Sequence, residues 1–161
     1  MQKFSIQYGQ KNKSEALIGM IDMLPHLEQI DVTKGNPYFV INHANENYIQ
    51  AMRTPYGYIV ECRYLFYQET QNKNQHKNNS KDGNNLIHYR AWNHRDHDAP
   101  GKADPRTGEW GPWIHEHDHI SLEQAAALLD HYIILCGKPE LPVAAWIHWR
   151  DVTEEFPEYE T

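Results

Sequence analysis

At 161 residues the chain is long enough to bury its own core, and 15 Lys and Arg against 22 Asp and Glu give it a formal net charge of −7. That balance argues against a phosphate-tracking nucleic-acid binder, which needs clustered Lys and Arg, and suits a basic partner better. Aromatic residues at 12%, five Trp and ten Tyr among them, exclude wholesale disorder.

Lys3 to Tyr8 alternates and reads as a short strand. Ser14 to about Leu24 reads as a helix, with Leu17, Ile18, Ile21 and Leu24 at helical spacing and Pro25 kinking or ending it; His26 to Ile30 adds a further turn. After the turn signal Lys34-Gly35-Asn36-Pro37 come three strand candidates, Tyr38 to Ile41, Asn47 to Arg53 and Tyr58 to Tyr67. Thr54-Pro55-Tyr56-Gly57 joins the last two as a hairpin loop. Residues 69–85 contain QNKNQHKNNSKDGNN, which has almost nothing apolar to bury and is expected to be a mobile polar loop. Leu86 to Trp92 returns as a strand, a Pro- and Asp-rich stretch covers His94 to Gly111, and Trp113 to His119 alternates as a strand would.

The second helix is the best specified element. Ser121-Leu122-Glu123-Gln124 is a capping box, and Leu122, Ala125, Ala126, Leu129, Tyr132, Ile133 and Cys136 share one face. Gly137 suits the left-handed position after it, and Pro139 prevents continuation. Val143 to Trp149 is the last expected strand, before an acidic tail at 151–161. The order of elements predicts a single α+β domain, mainly antiparallel sheet of about five to seven strands with two principal helices packed on it. Cys62, in a strand-like run, and Cys136, on the helix face, read as small buried hydrophobes, with a disulfide between them left open. The opening MQKFSIQYGQ lacks the apolar segment of a signal peptide, and no window reaches membrane-span length, so a cytoplasmic protein away from membranes is expected.

The chemistry-bearing residues support two readings. His115, His117 and His119 recur at period two, which on a strand would point three imidazoles one way and offer a zinc or iron site. A small metal-dependent enzyme using those histidines is the alternative reading; histidines packed beside Trp110 and Trp113 are the plainer one. No nucleophile motif, H-E-x-x-H or phosphate loop occurs, and neither cysteine has an activating setting, so no catalytic residue and no cofactor is expected. The ingredients of protein recognition are richer. Trp92, Trp110, Trp113, Trp146 and Trp149 are large anchors, and the tail adds Asp151, Glu154, Glu155, Glu158 and Glu160. The expected partner contacts are Asp151, Glu154, Glu155, Trp110 and Trp113.

Asn36-Pro37-Tyr38-Phe39-Val40-Ile41, Tyr48-Ile49-Gln50-Ala51 and Gly57-Tyr58-Ile59-Val60-Glu61-Cys62-Arg63 resemble segments of the immunity proteins encoded beside bacterial polymorphic toxins, as in contact-dependent inhibition. So do His88-Tyr89-Arg90-Ala91, the helix opening at Leu122-Glu123, Gly137 and Trp149-Arg150-Asp151-Val152. The resemblance covers much of residues 36–152. It implies a cytoplasmic inhibitor without catalytic residues, whose partner is a cognate toxin protein and which does not itself bind nucleic acid. The insertion at 70–85 and the His-rich stretch at 94–119 depart from the pattern.

Overall fold

A computed structural model describes residues 4–8, 11–17, 22–30, 38–43, 47–66, 85–93, 116–136 and 138–155; for 11–17, 66 and 85 only the backbone is described. Its elements are β1 (Phe4–Tyr8), β2 (Lys11–Leu17), α1 (Leu24–Glu28), β3 (Tyr38–His43), β4 (Tyr48–Thr54), β5 (Gly57–Phe66), β6 (Asn85–Trp92), α2 (Leu122–Ile134) and β7 (His148–Asp151). Two 3-10 turns, Glu116–Asp118 and Thr153–Glu155, stand before α2 and after β7. The strands form one sheet in the order β2-β1-β3-β4-β5-β6-β7, with every pairing antiparallel. The chain is therefore α+β with mainly antiparallel sheet, and two α-helices stand among the described residues.

Alternation along the strands sorts side chains onto two faces. Ile49 lies opposite Cys62 and Ala51 opposite Val60, while Gln50 lies opposite Glu61 on the reverse face. The first face joins Phe4, Ile6, Phe39, Ile41, Ile49, Val60 and Cys62 to Met23 and Leu27 of the α1 region and Ala125, Leu128, Leu129 and Tyr132 of α2 in one buried cluster. Ile59, Trp92 and Val152 are buried but stand outside that cluster. Burial in this core pushes the Cys62 thiol and the Tyr132 and Tyr64 phenols upward, so all three stay neutral at ordinary pH.

Helix α2 starts as its residues dictate. Ser121 Oγ accepts from the Gln124 N–H at 3.1 Å, and Gln124 Oε1 accepts from the Ser121 N–H at 3.0 Å. The Gln124 amide also donates to the Ala145 carbonyl at 3.2 Å, tying the helix start to the segment that precedes β7. The β4–β5 turn is fixed by Gly57, whose φ is +140° and whose missing Cβ would sit 2.6 Å from the Ile120 carbonyl oxygen. Tyr58 and Ile120 exchange both backbone hydrogen bonds there, each 2.9 Å long.

Five local expectations change. Lys11–Leu17 is a hairpin strand on β1, so the helix expected from Ser14 does not form there. Pro25 opens α1 in its first turn, where a missing N–H costs nothing, and does not close an earlier helix. Glu116–Asp118 is a 3-10 turn where a strand from Trp113 to His119 was expected; residues 113–115 lie outside the described residues. The last strand begins at His148, not Val143, because Trp146 has a left-handed φ of +64° that a strand cannot hold. Cys136, expected as a buried residue of the helix face, is exposed, because its left-handed φ of +53° takes it off the helix; both cysteines are reduced, and Cys62 is buried as expected. Gly137 and the polar segment 69–84 lie outside the described residues, while Asn85 opens β6.

Candidate interaction surface at the C-terminal edge strand

The sheet face turned away from the helices carries charge where β5, β6 and β7 run together. Arg90 of β6 is paired directly with Arg150 of β7, a juxtaposition that by itself would be repulsive. Two acids between them resolve it. Both Asp118 carboxylate oxygens accept from Arg150 Nη2 at 2.9 Å. Asp118 also lies 3.7 Å from Arg90 Nη1. Glu155 accepts from Arg90 at 2.7 Å through one oxygen and from Arg150 at 3.2 Å through the other. On the β5 side Glu61 accepts from Arg90 Nε at 2.7 Å, Gln50 Nε2 at 2.6 Å and His88 Nε2 at 3.2 Å. The Arg150 guanidinium lies 4.9 Å from the centre of the Trp92 ring.

Burial alone would lift the Glu61 carboxyl, but the hydrogen bond from His88 and the charge of Arg90 outweigh it and hold it at about 2. Burial likewise works against the charge on Arg90, and the surrounding Glu61, Asp118 and Glu155 outweigh it and raise its affinity for the proton. Every carboxylate oxygen of Glu61, Asp118 and Glu155 already meets a donor. The group is a clamp that holds both 3-10 turns and β7 onto the sheet.

The clamp decides what the expected contact residues can do. Asp151 is exposed and its carboxylate accepts from the N–H and hydroxyl of Thr153 at 2.9 and 2.6 Å. Glu154 is exposed. Glu155 points inward, its side chain only 12% exposed and shared by the two arginines, so its charge is largely spent inside the fold. Trp110 and Trp113 lie outside the described residues. Among the described residues the exposed tryptophan is Trp146, 71% accessible, with Val143 at 68% in the same segment. Trp149 is half-buried, its indole donating to the Pro142 carbonyl at 2.7 Å, and Trp92 is buried.

His117 and His119 do not share a strand face. The His117 ring packs at 5.3 Å from Trp92 with Nε2 3.4 Å from Glu116, while His119 Nδ1 lies 3.0 Å from the Thr54 hydroxyl. His115 lies outside the described residues, and among the described residues no three His, Cys, Asp or Glu are grouped to hold a metal. No described helix is long and apolar enough to cross a membrane.

Sequence reading passed over Glu61, His88, Arg90, Asp118 and Arg150. The signal was a Glu inside Tyr58-Ile59-Val60-Glu61-Cys62 and an Arg inside His88-Tyr89-Arg90-Ala91: charges in mid-strand among apolar residues, which survive burial only when paired. Comparison with known proteins gave no significant match to any family model, curated protein or solved structure.

Proposed function

We propose that this protein is an immunity protein, which binds a cognate secreted toxin domain and occludes it. The observation that carries the reading is the pairing of exposed apolar groups, Trp146 and Val143, with exposed acids, Asp151 and Glu154, on one C-terminal segment fastened by a buried charge clamp. Large aromatic anchors beside fixed charge are what a protein-binding surface needs. The net charge of −7 suits a basic toxin, such as a nuclease, and speeds its capture. The resemblance of segments within residues 36–152 to immunity proteins supports the same class. Asp151 and Glu154 are assigned to the contact, with Trp146 added as its apolar anchor; Glu155 is assigned to hold the segment in place.

The test is to look for a secreted toxin domain encoded beside this protein's gene and to co-express the two; no such domain there would count against the reading. Growth should be restored and a stoichiometric complex recovered. Continued killing with no complex would overturn the reading. In such a complex Glu154→Lys should slow association and flatten its salt dependence, with dissociation changing less.

A further inference from the structure

Among the described residues β7 is paired on one side only, with β6. The Val152 N–H donates to the His88 carbonyl, and the Tyr89–Asp151 to Trp92–His148 pairing then alternates from that bond. The backbone groups of His148 and Arg150 face β6, and the N–H and C=O of Trp149 and Asp151 face outward. Among the described residues no strand pairs with that outer edge. His148-Trp149-Arg150-Asp151 contains no Pro and no Lys and pairs with β6 without a bulge; its four-residue length and the charges of Arg150 and Asp151 limit which strand it can accept. The sequence of the opposite edge strand, Lys11–Leu17, contains two lysines.

We propose that β7 is a docking strand, and that the partner adds an extended cationic segment to its outer edge. Main-chain bonds to Trp149 and Asp151 supply the pairing, and side chains at alternate positions supply the selection. Trp149 and Asp151 share the helix-side face, so the incoming strand places an apolar residue beside Trp149 and a Lys or Arg beside Asp151, two positions apart. Glu154 extends the negative charge beyond the strand end, and Trp146 and Val143 extend the apolar surface before its start. The strand is rigid enough to act as a template. Arg150 is anchored in Asp118 and Glu155, and the Trp149 indole is anchored on Pro142. A second copy of this chain is disfavoured as occupant, because pairing edge to edge would bring two chains of charge −7 together.

The toxin as natural source of that segment rests on the proposed function; the docking edge itself is tested without it. Uniformly 15N-labelled protein is titrated with a soluble peptide of alternating Val and Lys, and separately with one of alternating Val and Glu. The Val–Lys peptide should shift the Trp149 and Asp151 amide resonances and slow their hydrogen exchange at least tenfold. The His148 and Arg150 amides, already bonded to β6, should change little, and the Val–Glu peptide should do neither. Asp151→Asn, which keeps the bonds from Thr153, and Glu154→Gln should each weaken the Val–Lys peptide by roughly two- to fivefold. Shifts centred elsewhere, equal response to both peptides, or slow exchange of Trp149 and Asp151 in the free protein through self-association would overturn the proposal. Peptide binding at the edge without toxin rescue would overturn the immunity reading alone. Rescue with an unresponsive edge would overturn the docking strand alone.

Discussion

On the helix side of the sheet, Ile49, Ala51, Val60 and Cys62 join Leu128, Leu129 and Tyr132 in an apolar cluster. On the other side, the same central strands carry Gln50, Glu61, His88 and Arg90, closed over by Asp118 and Glu155. The first face is held by area removed from water, a non-directional force that tolerates changes of similar volume. The second is held by charges that have given up their hydration and must find each other at fixed geometry. An apolar layer degrades gradually as side chains shrink. A buried ion cluster fails abruptly when one member leaves, because the remainder are stranded. The clamp also positions the outer strand of the sheet, so damage to it should reach the proposed binding edge.

The largest expected effect comes from breaking the centre of the clamp. Arg90→Ala leaves Glu61 without its guanidinium donor and should cost about 3–5 kcal/mol in urea unfolding. Leu129→Ala on the apolar face should cost about 2–5 kcal/mol. Replacing Arg90 and Glu61 together by Met should recover much of the loss, whereas no second substitution near Leu129 should do so without refilling volume. An Arg90→Ala cost below about 1 kcal/mol would remove the contrast between the faces.

Acid sharpens the comparison next. The folded state holds Glu61 at about 2 against an ordinary 4.5, so its ionised form favours folding. That contribution is present in full above about pH 4.5 and is lost as pH falls from there toward about 2. Stability measured across that window should drop, and Glu61→Gln should remove part of the dependence; an unchanged slope would show that other carboxylates carry it. The smallest effect tests the helix that covers the apolar face. Ser121→Ala should cost about 1 kcal/mol and loosen the Gln124 bridge to Ala145, readable as faster amide exchange in the first turn of α2.

The apolar face was legible in the sequence and the clamp was not, for a physical reason. Alternation in Tyr48–Thr54 and Gly57–Phe66, and the capping box at Ser121, are local patterns whose partner is simply the interior. Glu61, Arg90, Asp118, Arg150 and Glu155 acquire meaning only from one another, and each lies on a different element. The same limit misplaced Glu155 among the free acids. Trp146 looked like part of a strand because periodicity says nothing of a left-handed φ at one residue. The segment around Pro25 went wrong in the opposite way. Helical spacing from Leu17 to Leu24 predicts a helix starting at Ser14, yet the backbone of Lys11–Leu17 pairs with β1, where strand pairing overrides propensity; residues 18–21 lie outside the described residues.

The carbonyl of Ile120 occupies the space where any side chain at position 57 would begin. The geometry therefore demands glycine here, followed by a residue whose backbone pairs with the one preceding a helix cap, whatever the surface acids around it. A search built on that geometric signature, a glycine at a hairpin turn bridged to the residue before an S-x-x-Q or S-x-x-E box, gives a way to find distant kin that overall sequence similarity misses.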